Sequence, residues 1–282
     1  MKCTNGRRVA LAVAMTAALT GAAACTSSEP SDKPEGDRGA SSASLTALRA
    51  AERSTERAAS AKVRSTTVMG TQLSLEADGA LGWSGGLTGT LTITYTGGTS
   101  AEMMRALGIT SMEARYLPDA YYARLSDALA EKAGGKHWIR YAYDDLGGGA
   151  GASFADQLRN TTPNQSVKLL LDCGDVRKVG EEKVGGQTTT HYSGTVEVSE
   201  VADARLRKQL QQAGVTTETV DIWVDARNLL VKKVEKGRTA AGELTQTAYY
   251  SDYGVRVSAE RPPAGDTEDF GKLLEQHGGS AS

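Results

Sequence analysis

Leu87-Thr88-Gly89-Thr90-Leu91-Thr92-Ile93-Thr94-Tyr95 alternates with a period of two. Leu87, Gly89, Leu91, Ile93 and Tyr95 fall on one face, and four threonines fall on the other. That pattern is a half-buried antiparallel strand, one face on a core and one toward water. The same period recurs on both sides. It predicts strands at 63–69 and 72–78, broken near Gly70, and at 111–117, 120–125 and 137–143. The last carries Trp138, Ile139, Tyr141 and Tyr143. Further strands are predicted at 175–184, 187–198, 217–225, 228–237 and 243–251. Asp225-Ala226-Arg227-Asn228 has the residues of a hairpin turn.

Helical stretches interrupt this meander. Ser44 caps a helix to about Lys62, with Leu45, Leu48, Ala51 and Ala58 as its apolar stripe. Ser100 caps a short helix that turns Met103, Met104 and Leu107 inward and stops at Gly108. Phe154 and Leu158 lie on another, after the loop at 147–151. Thr162-Pro163-Asn164-Gln165 opens a helix to Cys173 as a capping box with proline at its first position. Ser199 caps a helix to Ala213, and a last helix runs from Asp266 to about Gln276. The βα alternation of a parallel sheet is missing. The fold class expected is α+β: one large curved antiparallel sheet with helices packed on its concave side.

Ahead of the fold, Lys2, Arg7 and Arg8 precede an uncharged run from Val9 to Ala24. That run is too short for a spanning helix and is built as an export signal. Ala22-Ala23-Ala24-Cys25 resembles a bacterial lipobox, in which the Cys25 thiol receives a diacylglyceryl group. Ala22 stands where Leu or Val is usual, and an ordinary secretory signal cut near Ala24 is the alternative. Residues 25–43 carry serine, proline, glycine and charge, with no large apolar side chain, and read as a flexible tether. Residues 44–276 are expected to form a single domain, followed by a loose tail at 277–282.

The 282 residues carry a formal charge of −2, which loss of Lys2, Arg7 and Arg8 takes to −5. A mildly acidic chain without basic blocks is a poor partner for nucleic acid and for an anionic bilayer. Membrane attachment therefore depends on the acyl chains at Cys25. Of the three cysteines, Cys3 leaves with the leader and Cys25 is modified, so Cys173 is left as a small hydrophobe.

Catalytic and metal motifs are sparse. Gly82-Trp83-Ser84-Gly85-Gly86 satisfies G-x-S-x-G, but a nucleophile elbow needs a helix after it, and here a strand follows. His137, His191 and His277 lack an i,i+4 partner, so no zinc-protease helix is formed. His191, opposite in face to Thr190 and Tyr192, is expected to meet solvent. No catalytic residue, metal ligand or cofactor site is assigned. What the alternation offers instead is an apolar hollow under the sheet. Its candidate lining is Leu91, Ile93, Tyr95, Tyr122, Trp138, Tyr141, Tyr192, Ile222 and Val224. Side chains that merely pack together are the alternative.

Gly186-Gln187-Thr188-Thr189-Thr190-His191-Tyr192-Ser193-Gly194, Val220-Asp221-Ile222-Trp223-Val224-Asp225, Asn228-Leu229-Leu230-Val231-Lys232-Lys233 and Tyr250-Ser251-Asp252-Tyr253-Gly254 recur in one order. Together they resemble the LppX/LprAFG lipoproteins of actinobacteria, within the LolA/LolB-like group. The resemblance implies a half-barrel whose cavity holds acyl chains, and so a lipid or acylated ligand as partner. Some domains of this fold contact another envelope protein instead, which makes a sensor or interaction module the second expectation. A hydrolase centred on Ser84 is the third.

Overall fold

The computed structural model describes residues 42–132, 134–144, 162–172, 176–212, 214–239 and 242–273. The leader, Cys25, Cys173, the 147–151 loop, Phe154, Leu158 and the 277–282 tail lie outside them. The described residues all belong to one compact unit.

Twelve strands among the described residues form one open sheet. They are β1 (Ser60–Met69), β2 (Leu73–Gly82), β3 (Thr88–Gly97), β4 (Ser111–Tyr116), β5 (Ala120–Arg124) and β6 (Trp138–Ala142). The second half holds β7 (Val176–Val184), β8 (Gln187–Glu197), β9 (Thr217–Asp225), β10 (Leu230–Thr239), β11 (Gly242–Ser251) and β12 (Thr267–Asp269). Across the sheet the order is β12-β6-β5-β4-β3-β2-β1-β11-β10-β9-β8-β7. Two meanders, β1 to β6 and β7 to β11, are therefore joined where β1 pairs with β11. Each pairing is antiparallel except β12 with β6.

The helices are α1 (Ser42–Ala58), α2 (Gly98–Ala106), α3 (Asp127–Lys132), α4 (Pro163–Asp172) and α5 (Ala204–Gln212). Leu48 and Ala51 of α1, Val167, Leu169 and Leu170 of α4 and Leu206 of α5 share one buried cluster with the inner strand residues. The result is an α+β half-barrel with α1, α4 and α5 packed on its inner face.

Several expectations shift. The first helix starts at Ser42, inside the proposed tether, and stops at Ala58 rather than Lys62. Ser44 is buried within it instead of capping it. Ala59 turns left-handed, at φ 64°, and Ser60 pairs with Gly82. The Trp83 indole N–H donates to the carbonyls of Thr55 and Glu56, both at 3.2 Å, satisfying groups that the helix end leaves open. Asp203, not Ser199, caps α5: its carboxylate accepts the Leu206 N–H at 3.1 Å. Ser199 sits in a separate single turn, Val198–Glu200. The helix expected from Asp266 begins at Phe270 instead, because Thr267–Asp269 form the edge strand β12. Asp266 accepts the His137 N–H at 2.9 Å and Arg140 reaches Asp269 at 2.7 Å, so ionic contacts support the parallel pairing.

The largest reversal is in α2. Met103 and the C-cap Leu107 face out, 66% and 39% exposed, while Met104 is half-buried and Ala101 is the helix's buried residue. Gly97, extended and without a side-chain bond, is its N-cap in place of Ser100.

Candidate functional site

Cross-strand register arranges the inner face in rows. One row runs Tyr192, Ile222, Lys233, Ala248, Ser65, Ala77, Ile93 and Met112. The next runs Gly194, Val220, Glu235, Gln246, Thr67, Leu75 and Tyr95. The last runs Val196, Glu218, Gly237, Leu244, Met69 and Leu73. Nearer the β1–β11 end that carries Tyr250, Val63 and Leu91, the face is closed by α1 and fully packed. Toward Met69, Leu73, Leu75, Ile93, Tyr95, Met112 and Leu244 it is only half-buried. A half-buried apolar strip, the candidate trough, therefore lies along the β11–β4 part of the inner wall.

Seven of the nine proposed lining residues sit on this face. Ile93, Tyr95 and Tyr141 are half-buried and border the trough. Leu91, Tyr192, Ile222 and Val224 are buried in the core cluster beneath the helices. Tyr122 and Trp138 do not belong with them. They form a separate cluster on the opposite face with Leu117 and Ala120. There the Arg261 guanidinium donates to the Tyr122 hydroxyl at 2.6 Å and to Asp119 at 2.9 Å, and Arg115 stands 4.4 Å from the Trp138 ring centroid. Alternation missed Met69, Leu73, Leu75, Met112 and Leu244, although each keeps the parity of its strand's inner residues.

One end of the wall is aromatic. Tyr116 and Tyr121 are 5.2 Å apart, Tyr121 and Tyr141 5.7 Å, and Tyr141 and Phe270 4.6 Å, ring centre to ring centre. Tyr95 donates to the Met112 sulfur at 3.7 Å. Burial pushes the Tyr121 and Tyr141 hydroxyls up, so they stay neutral.

The other end is charged. Lys233 Nζ lies 2.8 Å from Glu235 Oε2, and Ser166 of α4 donates to Glu235 Oε1 at 2.5 Å. Glu218, 8% exposed, has no partner for Oε2. Burial and the negative charge of Glu235 raise its carboxyl to about 8. On the outer face His191 is not open to solvent: its side chain is 12% exposed. It is held by Glu182 at 2.9 Å and Asp221 at 2.8 Å, and it stacks on Trp223.

No protein-family model matches the chain. A candidate lipoprotein of Streptomyces coelicolor is 67% identical over 225 residues, covering 79% of this chain and 73% of that one. A 31.2 kDa Streptomyces griseus protein, encoded between rplA and rplJ, is 51% identical over 235 residues, 78% and 77% of the two chains. The chain belongs to this family of Streptomyces lipoproteins. Among solved structures, the Mycobacterium tuberculosis lipoprotein LppX superimposes with a TM-score of 0.49 at 18% identity, over 78% of this chain and all of that one.

Proposed function

We propose that this lipoprotein is anchored through Cys25 on the outer side of the cell membrane and carries an acylated lipid in the trough of its half-barrel. One observation carries the reading: a row of inner-face apolar residues, from Met69 and Leu73 to Ile93 and Met112, is left half-buried beside a core that is otherwise closed. Water against such a wall is unfavourable by about 25 cal/mol for each Å² of apolar surface, and an acyl chain removes that contact. The flanking tyrosines add an apolar body with a polar tip, which suits the glycerol or ester end of a lipid.

The proposal is binding, not catalysis. Ser84 occupies an exposed turn between β2 and β3, and its residue spacing leads into a strand. A Ser84→Ala chain is expected to load lipid as the parent does.

Native mass spectrometry of the untreated protein against a lipid-extracted sample tests the cargo. Masses of one bound lipid in the first and none in the second are expected. Identical spectra from a chain purified out of its own membranes, without detergent, would sink the carrier reading. An interaction module is the second reading, and the solvent-facing Met103 and Leu107 are the observation that favours it.

A further inference from the structure

We infer that α2 is a membrane-dipping element: with Met103 and Leu107 as its apolar tip, it enters the bilayer surface beside the mouth of the trough. The inference rests on the anchored, lipid-carrying reading above and adds where the bilayer is met.

Three observations converge. First, α2 is pinned to the half-buried end of the wall. Thr99 N–H donates to the Thr71 carbonyl at 3.2 Å and Ser100 N–H to that of Gln72 at 2.9 Å, so the helix stands on the β1–β2 turn. Met69 and Leu73, the trough's last row, flank that turn. Ile109, buried, fixes the return to β4.

Second, the helix leaves large apolar side chains outside its packed face. Ala101 is buried and Met104 half-buried against the protein, while Met103 and the C-cap Leu107 stand out. Folding alone gives no reason to expose Met103 by 66%. Glu102 and Arg105, the charges on α2, oppose one another, so electrostatics neither drive nor block contact with a lipid surface.

Third, the chain length holds this tip near a membrane. Sixteen residues, 26–41, separate Cys25 from Ser42. A random coil of that length has a root-mean-square span of about 23 Å and reaches about 58 Å when extended. A domain so tethered meets the bilayer at high effective concentration, and a contact too weak to hold a free protein suffices. Bilayer lipid is also the guest's source and destination. A helix that sinks beside the mouth shortens the aqueous path of an acyl chain.

The test uses the mature acylated chain in phosphatidylethanolamine–phosphatidylglycerol vesicles. An environment-sensitive fluorophore is placed at Met103→Cys or, as control, at Val179→Cys, in a Cys173→Ser background. Val179 is 49% exposed on β7, at the other edge of the sheet. Brominated lipids are expected to quench the label at 103 at least threefold more than at 179, with the reverse order for aqueous iodide. Equal quenching at the two sites overturns the inference. So does a label at 103 that native membranes shield from iodide while brominated lipid leaves it bright, because a protein then covers the helix. Lipid content of the same samples is measured by extraction. A chain that carries no lipid yet quenches at 103 removes the cargo reading and leaves the dipping helix standing. A loaded chain that does not quench does the opposite.

Discussion

Lys233 Nζ and Glu235 Oε2 stand 2.8 Å apart on the inner face of one strand, side chains 11% and 12% exposed. The alternating residues of β10 thus put a cation and an anion where the other strands put apolar groups. Coulomb attraction to Glu235 holds the ammonium charged despite burial that opposes it. Removing one partner strands the other. Lys233→Met is expected to cost about 3–5 kcal/mol in urea unfolding, with Glu235 left buried and charged.

Glu218, alongside, makes stability depend on pH. Its folded value of about 8 lies above the ordinary 4.5, so between those limits the folded chain holds a proton that the unfolded chain has lost. The contribution is fully present below pH 4.5 and declines as pH rises, by about 1.4 kcal/mol per unit at its steepest, until it is gone above 8. Glu218→Gln cannot ionise and is expected to flatten this slope. Urea midpoints measured from pH 5 to pH 9 for both chains check it, and parallel curves would refute the assignment.

Gly89 marks a tight place between β2 and β3. A Cβ there would lie 2.2 Å from the Ala80 carbonyl oxygen, and its φ of 144° disfavours any side chain. Both strands would have to part, since the obstacle is backbone. Gly89→Ala is expected to destabilise the fold by more than about 2 kcal/mol, read as a lowered urea midpoint. A neutral result would mean that the pairing of β2 with β3 is loose.

The alternation that runs from Leu87 to Tyr95 was readable because one face of β3 is wet and the other dry. Ala120-Tyr121-Tyr122-Ala123 offers no such contrast, since all four residues are buried. The arm bearing Arg261 covers the outer face there, and its packing on Tyr122 arises only in three dimensions. Alternation alone therefore puts Tyr122 and Trp138 on the wrong side. Met103 and Leu107 had helical spacing, but spacing cannot say which face a helix turns to the protein. The parallel strand β12 was hidden for a related reason. Three residues carry no period, and the carboxylates that dock them pair with side chains 129 positions away. The hairpin at Asp225 was legible because its chemistry is local: Oδ1 accepts the N–H groups of Arg227 and Leu229 at 2.9 and 2.8 Å.

His191 and Trp223 stack at 4.2 Å with planes 15° apart, and Lys232 lies 4.0 Å from the indole centroid on the outer face. Trp223 also donates to Glu182 at 2.9 Å. This cluster ties β7, β8, β9 and β10 together away from the trough. His191→Ala is expected to lower stability by about 1–2 kcal/mol while leaving lipid recovered per chain unchanged. Loss of lipid at full stability would instead make the outer face the binding site.

Thr67 offers the sharpest contrast between the two faces. It sits in the trough row between Gln246 and Leu75, half-buried, with Ser65 and Met69 two positions away on the same face of β1. Thr67→Trp introduces an indole into the space assigned to the acyl chain. Tyr122→Phe, on the other side of the sheet, removes only the hydroxyl that accepts from Arg261 and costs about 1 kcal/mol. If the trough holds the guest, Thr67→Trp lowers copurified lipid at least tenfold, equivalent to about 1.4 kcal/mol of binding. The Tyr122→Phe chain, though less stable, keeps its full load. Were the two variants to lose lipid in proportion to their stability, the loss would report unfolding, and the inner wall would no longer be the place where the lipid is held.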